Sequence, residues 1–233
     1  MKSFLAIAAV LFITLISGCA SNPITPLSLS GDFYQTQGKK IGVYFDDLPE
    51  TNTTFPGAGC LLCLAAAATA NSSLTKHVKT LPNEELKTIK DEVKNILADK
   101  GMQVISIDQP IDFKNLKKVK STDKNMYFAP KDMRPLKEKY GVDELVVIDF
   151  SFVGVQRSYS SYIPNGGPLA NVSGMLTMVN LDTNTYTIYQ PISILVPVQG
   201  EWDEPPSFPG VTTSYYEALD RAKSQIIDTF RKE

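Results

Sequence analysis

The chain predicts an α+β fold: a mixed sheet of about five strands with helices packed on it, in the order strand, apolar segment, helix, strand, helix, strand, strand, strand, helix. Three observations carry this expectation. Period-two alternation marks strands at 40–46, 144–155, 171–181 and 185–196. Helical spacing appears at Leu86, Ile89, Val93, Ile96 and Leu97, and again at Tyr216, Leu219, Ile226 and Phe230. Between the first of these strands and the run at 102–107 stands the first of these helices, a crossover that favours parallel pairing.

Taken in order, the chain begins with Lys2, a twelve-residue uncharged apolar run at 4–15, and the small residues Ser17 and Gly18 before Cys19. That is the pattern of a cleaved signal peptide over 1–18. Ile16-Ser17-Gly18-Cys19 resembles the lipobox of bacterial lipoproteins, with Ile16 where leucine is commoner. The resemblance implies that the Cys19 thiol carries diacylglycerol and becomes the first residue of the mature chain. It also implies the periplasmic face of the outer membrane, since Ala20 and Ser21 stand where an aspartate would mark inner-membrane retention. Two or three acyl chains hold a protein effectively permanently, at about 0.8 kcal/mol per buried methylene. An ordinary secretory signal with a coincidental cysteine is the bland alternative.

Residues 20–31 are uncharged and contain two prolines, so 19–37 reads as a lipidated N-terminus and flexible tether, with Phe33 and Tyr34 already beginning to pack. A single globular domain follows at 38–233. The whole chain has 23 basic and 25 acidic residues. Removing 1–18 takes away only Lys2, leaving 22 against 25, and such a balance offers no footprint for nucleic acid.

Asp46-Asp47 closes the first strand; paired carboxylates can bind a cation, but aspartates at a strand end more often make a solvated turn or a helix cap. Residues 51–75 then run without one charge, and 58–70 is almost wholly small or apolar. A helix of thirteen residues rises about 20 Å, too short to cross a bilayer, so a buried core helix or a subunit contact is expected ahead of membrane contact. Cys60 and Cys63 inside it form a C-x-x-C, read as a local disulfide or two buried thiols rather than a redox site, because no thioredoxin-like frame surrounds them. Ser73-Leu74-Thr75-Lys76 matches S-x-x-K without the companion motifs of a serine acyl-enzyme. His77 is the sole histidine, which removes multi-histidine metal sites, and beside lysines it reads as a surface residue.

The helix at 82–100 has Glu84 and Glu85 in its first turn and Gly101 as its stop. A lysine-rich loop follows, and its Lys117 and Lys118 are candidate contacts for an anionic partner; the bland reading is a solvated loop. A short helix with Asp132 as N-cap and Pro135 at its third position ends at Gly141. In the central strand Ile148, Phe150 and Phe152 alternate with Val147, Asp149, Ser151 and Val153; Asp149 is a candidate buried acid with no partner in view. Residues 158–168 form a turn-rich loop without the spacing of a phosphate cradle. Asp182-Thr183-Asn184 joins the last two strands, and Pro191 requires an edge or a bulge. Trp202 sits in an acidic, proline-rich loop, either as a partner anchor or as a cover for the core. Ser214 and Glu217 read as a capping box for the closing helix.

Residues 40–46, the passage Lys139-Tyr140-Gly141-Val142-Asp143-Glu144-Leu145-Val146-Val147 and the hairpin at Leu181-Asp182-Thr183 resemble the envelope lipoproteins built like the curli secretion lipoprotein, the lipoprotein activators of penicillin-binding proteins and the Tol N-terminal domain. The resemblance rests on topology and carries over no functional residue. The anchor, the tether and a domain without a catalytic motif point to a non-enzymatic binding or assembly module, with no metal or cofactor expected. The partner would be an envelope or peptidoglycan-associated protein, or a second copy; a membrane-inserting secretion component is the alternative. A thiol-redox enzyme lacks a convergent constellation.

Overall fold

Strand β1 (Lys40–Phe45) needs cover on both faces, since Ile41 and Val43 are fully buried and Tyr44 nearly so. The computed structural model of the chain describes residues 25–36, 38–119 and 127–231. β1 lies between two parallel neighbours, β3 (Gln103–Ile107) and β4 (Glu144–Gln156). β4 pairs antiparallel with β7 (Leu169–Asn180), and β7 with β8 (Thr185–Pro197). The expected mixed α+β sheet therefore forms, with a sixth strand: β2 (Asn52–Thr54) pairs parallel with the far end of β4, beyond the end of β1. Pro191 lies in β8, at the end of the strand order, where its missing donor costs no ladder bond.

One face of the sheet is covered by α3 (Thr88–Asp99) and α5 (Pro209–Arg231). Ile89, Val93 and Leu97 recur every four residues and are fully buried. α3 stops at Gly101, whose φ of 82° lets Met102 N-H reach the Leu97 carbonyl at 3.0 Å. The other face is covered by residues 108–119 and 127–134 and by α4 (Pro135–Tyr140), around Ile111, Met133, Leu136 and Val179. Two helix starts differ from expectation. Pro135 opens α4, where its missing N-H costs nothing, and Asp132 stays outside, accepting from the Arg134 backbone at 3.3 Å. α5 begins at Pro209, so Ser214 is interior and donates to the Gly210 and Pro197 carbonyls instead of capping.

β4 does not alternate throughout. Its register against β7 shifts between Phe150 and Phe152, so Val153 joins Val146, Ile148 and Phe150 on the α3/α5 face. The N-terminal segment also departs from a free tether. Leu27 exchanges both backbone hydrogen bonds with Tyr189 of β8, at 2.8 and 3.0 Å, and Phe33 is buried, so the body begins to hold the chain by Leu27.

Candidate functional site

The uncharged run folds as β2, then α1 (Leu61–Ala70) and α2 (Ser72–Val78). The expected buried core helix is not what forms. α1 turns only two small residues inward, Cys63 and Ala67 against Ala58 and Tyr159, while Leu61, Leu62 and Leu64 point out at 84%, 70% and 46% exposure. Large side chains outward and small ones inward invert the usual arrangement, because shedding leucine surface from water is what normally draws a helix onto its core. Tyr162 and Ile163, from the small ribbon of β5 (Tyr159–Ser160) and β6 (Ile163–Pro164), extend the apolar surface, and the Tyr162 hydroxyl lies 3.7 Å from the Cys60 sulfur.

α1 is held by covalent and polar ties. Cys60 and Cys63 are joined as a disulfide, and the Cys60 sulfur accepts from the Cys63 backbone N-H at 2.9 Å, capping the first turn. At the other end buried Asn71 donates to the Ala67 carbonyl at 2.7 Å and to the Tyr159 hydroxyl at 2.6 Å, and accepts from Arg157 at 2.9 Å. The Arg157 guanidinium also stacks 4.3 Å from the Trp202 ring. Trp202 is half-buried, packed with Leu74, Val78, Val155, Phe208 and Val211, and so serves as a cover for this end of the core. His77 is half-buried rather than on the surface; its Nε2 pairs with Thr212 Oγ1 at 2.8 Å, and burial holds its pKa below the ordinary 6.5.

A second feature lies on the opposite side of β4 from α3 and α5. Asp46 and Asp149 line one cavity of about 530 Å³ with Ile111, Asp112, Phe113, Lys114, Met133, Val147, Met175 and Thr177. Partial burial, then the nearby Asp46 charge, raise the Asp149 pKa above its ordinary 3.8. Tyr44 donates to Asp46 at 2.8 Å; its own burial first, then that hydrogen bond and the Asp46 charge, push the Tyr44 pKa up to about 12. The two candidate carboxylates, 103 positions apart, are thus brought together, because β1 and β4 are parallel neighbours. Among the described residues no group of three or more His, Cys, Asp or Glu side chains is placed to hold a metal ion.

Lys117 and Lys118 are exposed, and the Lys117 carbonyl accepts from Asp132 N-H at 2.8 Å. Cys19 and the segment 1–18 lie outside the described residues. No helix among the described residues is long and apolar enough to cross a membrane. The inverted face of α1 was the feature that sequence reasoning missed; a signal was present in the grouping of Leu61, Leu62 and Leu64 around the small residues Cys63 and Ala67.

No protein-family model matches the chain, and no curated protein matches it in sequence. Solved structures with partial likeness include a Xanthomonas campestris protein of the DUF330 family, at 12% identity and TM-score 0.41 over 88% of this chain and 90% of that one. Another is described as a neuraminyllactose-binding hemagglutinin homolog from Helicobacter pylori, at 12% identity and TM-score 0.37 over 91% and 92%. Likeness at that level leaves the functional reading to the chain's own residues.

Proposed function

We propose that this chain is a lipoprotein of the bacterial envelope, tied to the outer membrane through Cys19, that acts as a non-enzymatic binding module. The observation that carries the binding role is α1, whose leucines face away from the body on a helix without a single charged residue. An exposed apolar surface of this kind on a folded domain marks a contact site. The Cys60–Cys63 disulfide supports an oxidising compartment such as the periplasm. A ten-residue helix rises about 15 Å, half the hydrocarbon thickness, which favours surface contact over the oligomeric membrane-inserting secretion component considered as the alternative.

The test has two parts. Cys19→Ser should abolish incorporation of labelled fatty acid and move the protein from the detergent to the aqueous phase. A photo-crosslinking residue at Leu62 should give an adduct in intact envelopes that the same residue at exposed Glu138 does not. Unmodified native protein would overturn the anchor, and equal crosslinking at both positions would overturn the binding face.

The cavity supports a second, narrower reading within the same role. Apolar walls around Asp46 and Asp149 suit a ligand with a cationic group on an apolar body, held by charge-assisted hydrogen bonds. Titration with alkylammonium compounds of increasing chain length, against wild type and Asp149→Asn, tests it: saturable binding weakened by the substitution is expected, and equal or absent binding rejects it.

A further inference from the structure

We infer that the occupant of the apolar α1 face is the lipid surface of the membrane itself, with Leu61, Leu62, Leu64, Tyr162 and Ile163 seated in the bilayer interface. The inference deepens the envelope-anchor reading and rests on it for the source of the membrane. Four observations favour lipid over protein.

The first is polar satisfaction. Thr69 is the lone hydroxyl-bearing side chain of α1, and it is already engaged, donating to the Ala65 carbonyl at 2.9 Å. In the first turn the Cys63 N-H is taken by the Cys60 sulfur and the Leu64 N-H by the Cys60 carbonyl, each at 2.9 Å. The helix therefore offers acyl chains side chains that need no partner, which hydrocarbon demands and a typical protein interface, with its direct hydrogen bonds, does not.

The second is direction and reach. Leu27 pairs antiparallel with Tyr189, and β8 runs from Thr185 to Pro197. Followed back from Leu27, the chain direction is toward the Pro197 end of the sheet. That end also carries α1, since Pro197 lies opposite Leu169, Leu169 opposite Gln156, and Gln156 opposite Thr54 in the strand that leads into α1. From Leu27 back to Cys19 is eight residues, about 28 Å fully extended, and Tyr189 to Pro197 is eight strand residues, about 26 Å. A lipid on Cys19 can reach the level of α1.

The third is area. A stable protein interface buries about 800 Å² on each partner from some 20 to 30 residues. Here five large apolar side chains are exposed together, too few for a second copy to bind stably but enough for an interfacial contact that an acyl anchor makes effectively intramolecular. The fourth is charge. Lys76 and Lys79, both exposed on or just after α2, line a groove with Ala68 of α1, where anionic headgroups would lie.

The experiment uses the full lipidated protein in vesicles of phosphatidylethanolamine and phosphatidylglycerol with brominated acyl chains, which quench tryptophan at bilayer depth. Leu62→Trp should be quenched about twofold or more beyond the parent, whose Trp202 is half-buried, and a Leu61→Glu/Leu62→Trp variant should lose that quenching. Sedimentation of the wild type and of Leu62→Glu in detergent is the second readout. Unquenched Leu62→Trp overturns the inference, as does a wild-type dimer that Leu62→Glu converts to monomer. If Cys19 proves unmodified, the unlipidated chain is added to the same vesicles: quenching then sustains the lipid contact while the anchor fails, and no quenching overturns both.

Discussion

The side-chain amide of Asn71 donates to the Tyr159 hydroxyl at 2.6 Å, tying the corner between α1 and α2 to the first residue of β5. Tyr159 in turn packs with Ala58, Cys63 and Ala67 beneath the helix. One buried amide thus holds an outward-facing apolar helix that has little core contact of its own. Asn71→Leu should cost about 2 to 3 kcal/mol, because it leaves the Tyr159 hydroxyl and the Arg157 guanidinium short of a partner. Urea denaturation gives the loss, and hydrogen exchange should show it concentrated in α1. An exchange pattern unchanged in α1 would mean that the disulfide alone holds the helix.

Gly154 bears on the same region from the other side. A Cβ there would lie 1.9 Å from the Asn52 carbonyl oxygen, with φ at 155°, so β2 reaches β4 only because the position has no side chain. Gly154→Ala should displace β2 and cost about 3 kcal/mol or more. Amide protection at Thr53 and Thr54 reports the displacement; retained protection would show that β4 yields instead.

Asn184 stitches the cover over the second face of the sheet to the β7/β8 hairpin. It is buried at φ 60°, accepts from Met133 N-H at 2.8 Å, and donates to the Ala129 and Lys131 carbonyls at 3.0 and 3.1 Å. Asn184→Ala loses all three bonds and adds backbone strain, for an expected cost of about 3 to 4 kcal/mol; Asn184→Gly loses the bonds alone and should cost about 1 kcal/mol less. Calorimetry of the pair separates the two contributions, and equal costs would rule the strain out.

His77 gives a pH dependence with a defined sign. Burial keeps its folded-state pKa below 6.5, so the unfolded chain binds the proton more tightly. Stability from this group is complete above pH 6.5 and is lost as pH falls through 6.5 toward the folded value. Partial exposure limits the effect to less than about 1 kcal/mol. His77→Gln should flatten the slope between pH 7 and 5 by about that amount in chemical denaturation, while a slope equal to wild type would place the titration elsewhere.

How far the sequence could be read follows from the range of the physics involved. α3 was legible because a four-residue apolar repeat and Gly101 are local signals. The parallel pairing of β1 and β3 was legible because a crossover helix dictates it. The capping boundary at Ser214 was misread because a local motif was outcompeted by two carbonyls, one of them across the chain at Pro197. The face assignment of Val153 failed at a bulge, which depends on the register against β7 and not on β4 alone. Asp46 and Asp149 meet through sheet order, which no spacing in the sequence encodes.

By itself the sequence determined the α+β class, the order of the main elements, the lipobox-like pattern ending at Cys19 and the anomaly of a charge-free stretch at 51–75. All of these are set by composition and by periodicities that act within a few residues. Tertiary structure decided which side of that stretch faces out, that Leu27 docks on β8, and that two distant carboxylates share a cavity. Burial is a property of what the rest of the chain places alongside. An alanine-rich helix is equally apolar on every side until Tyr159, Asn71 and the Cys60–Cys63 bond select the side that stays against the body.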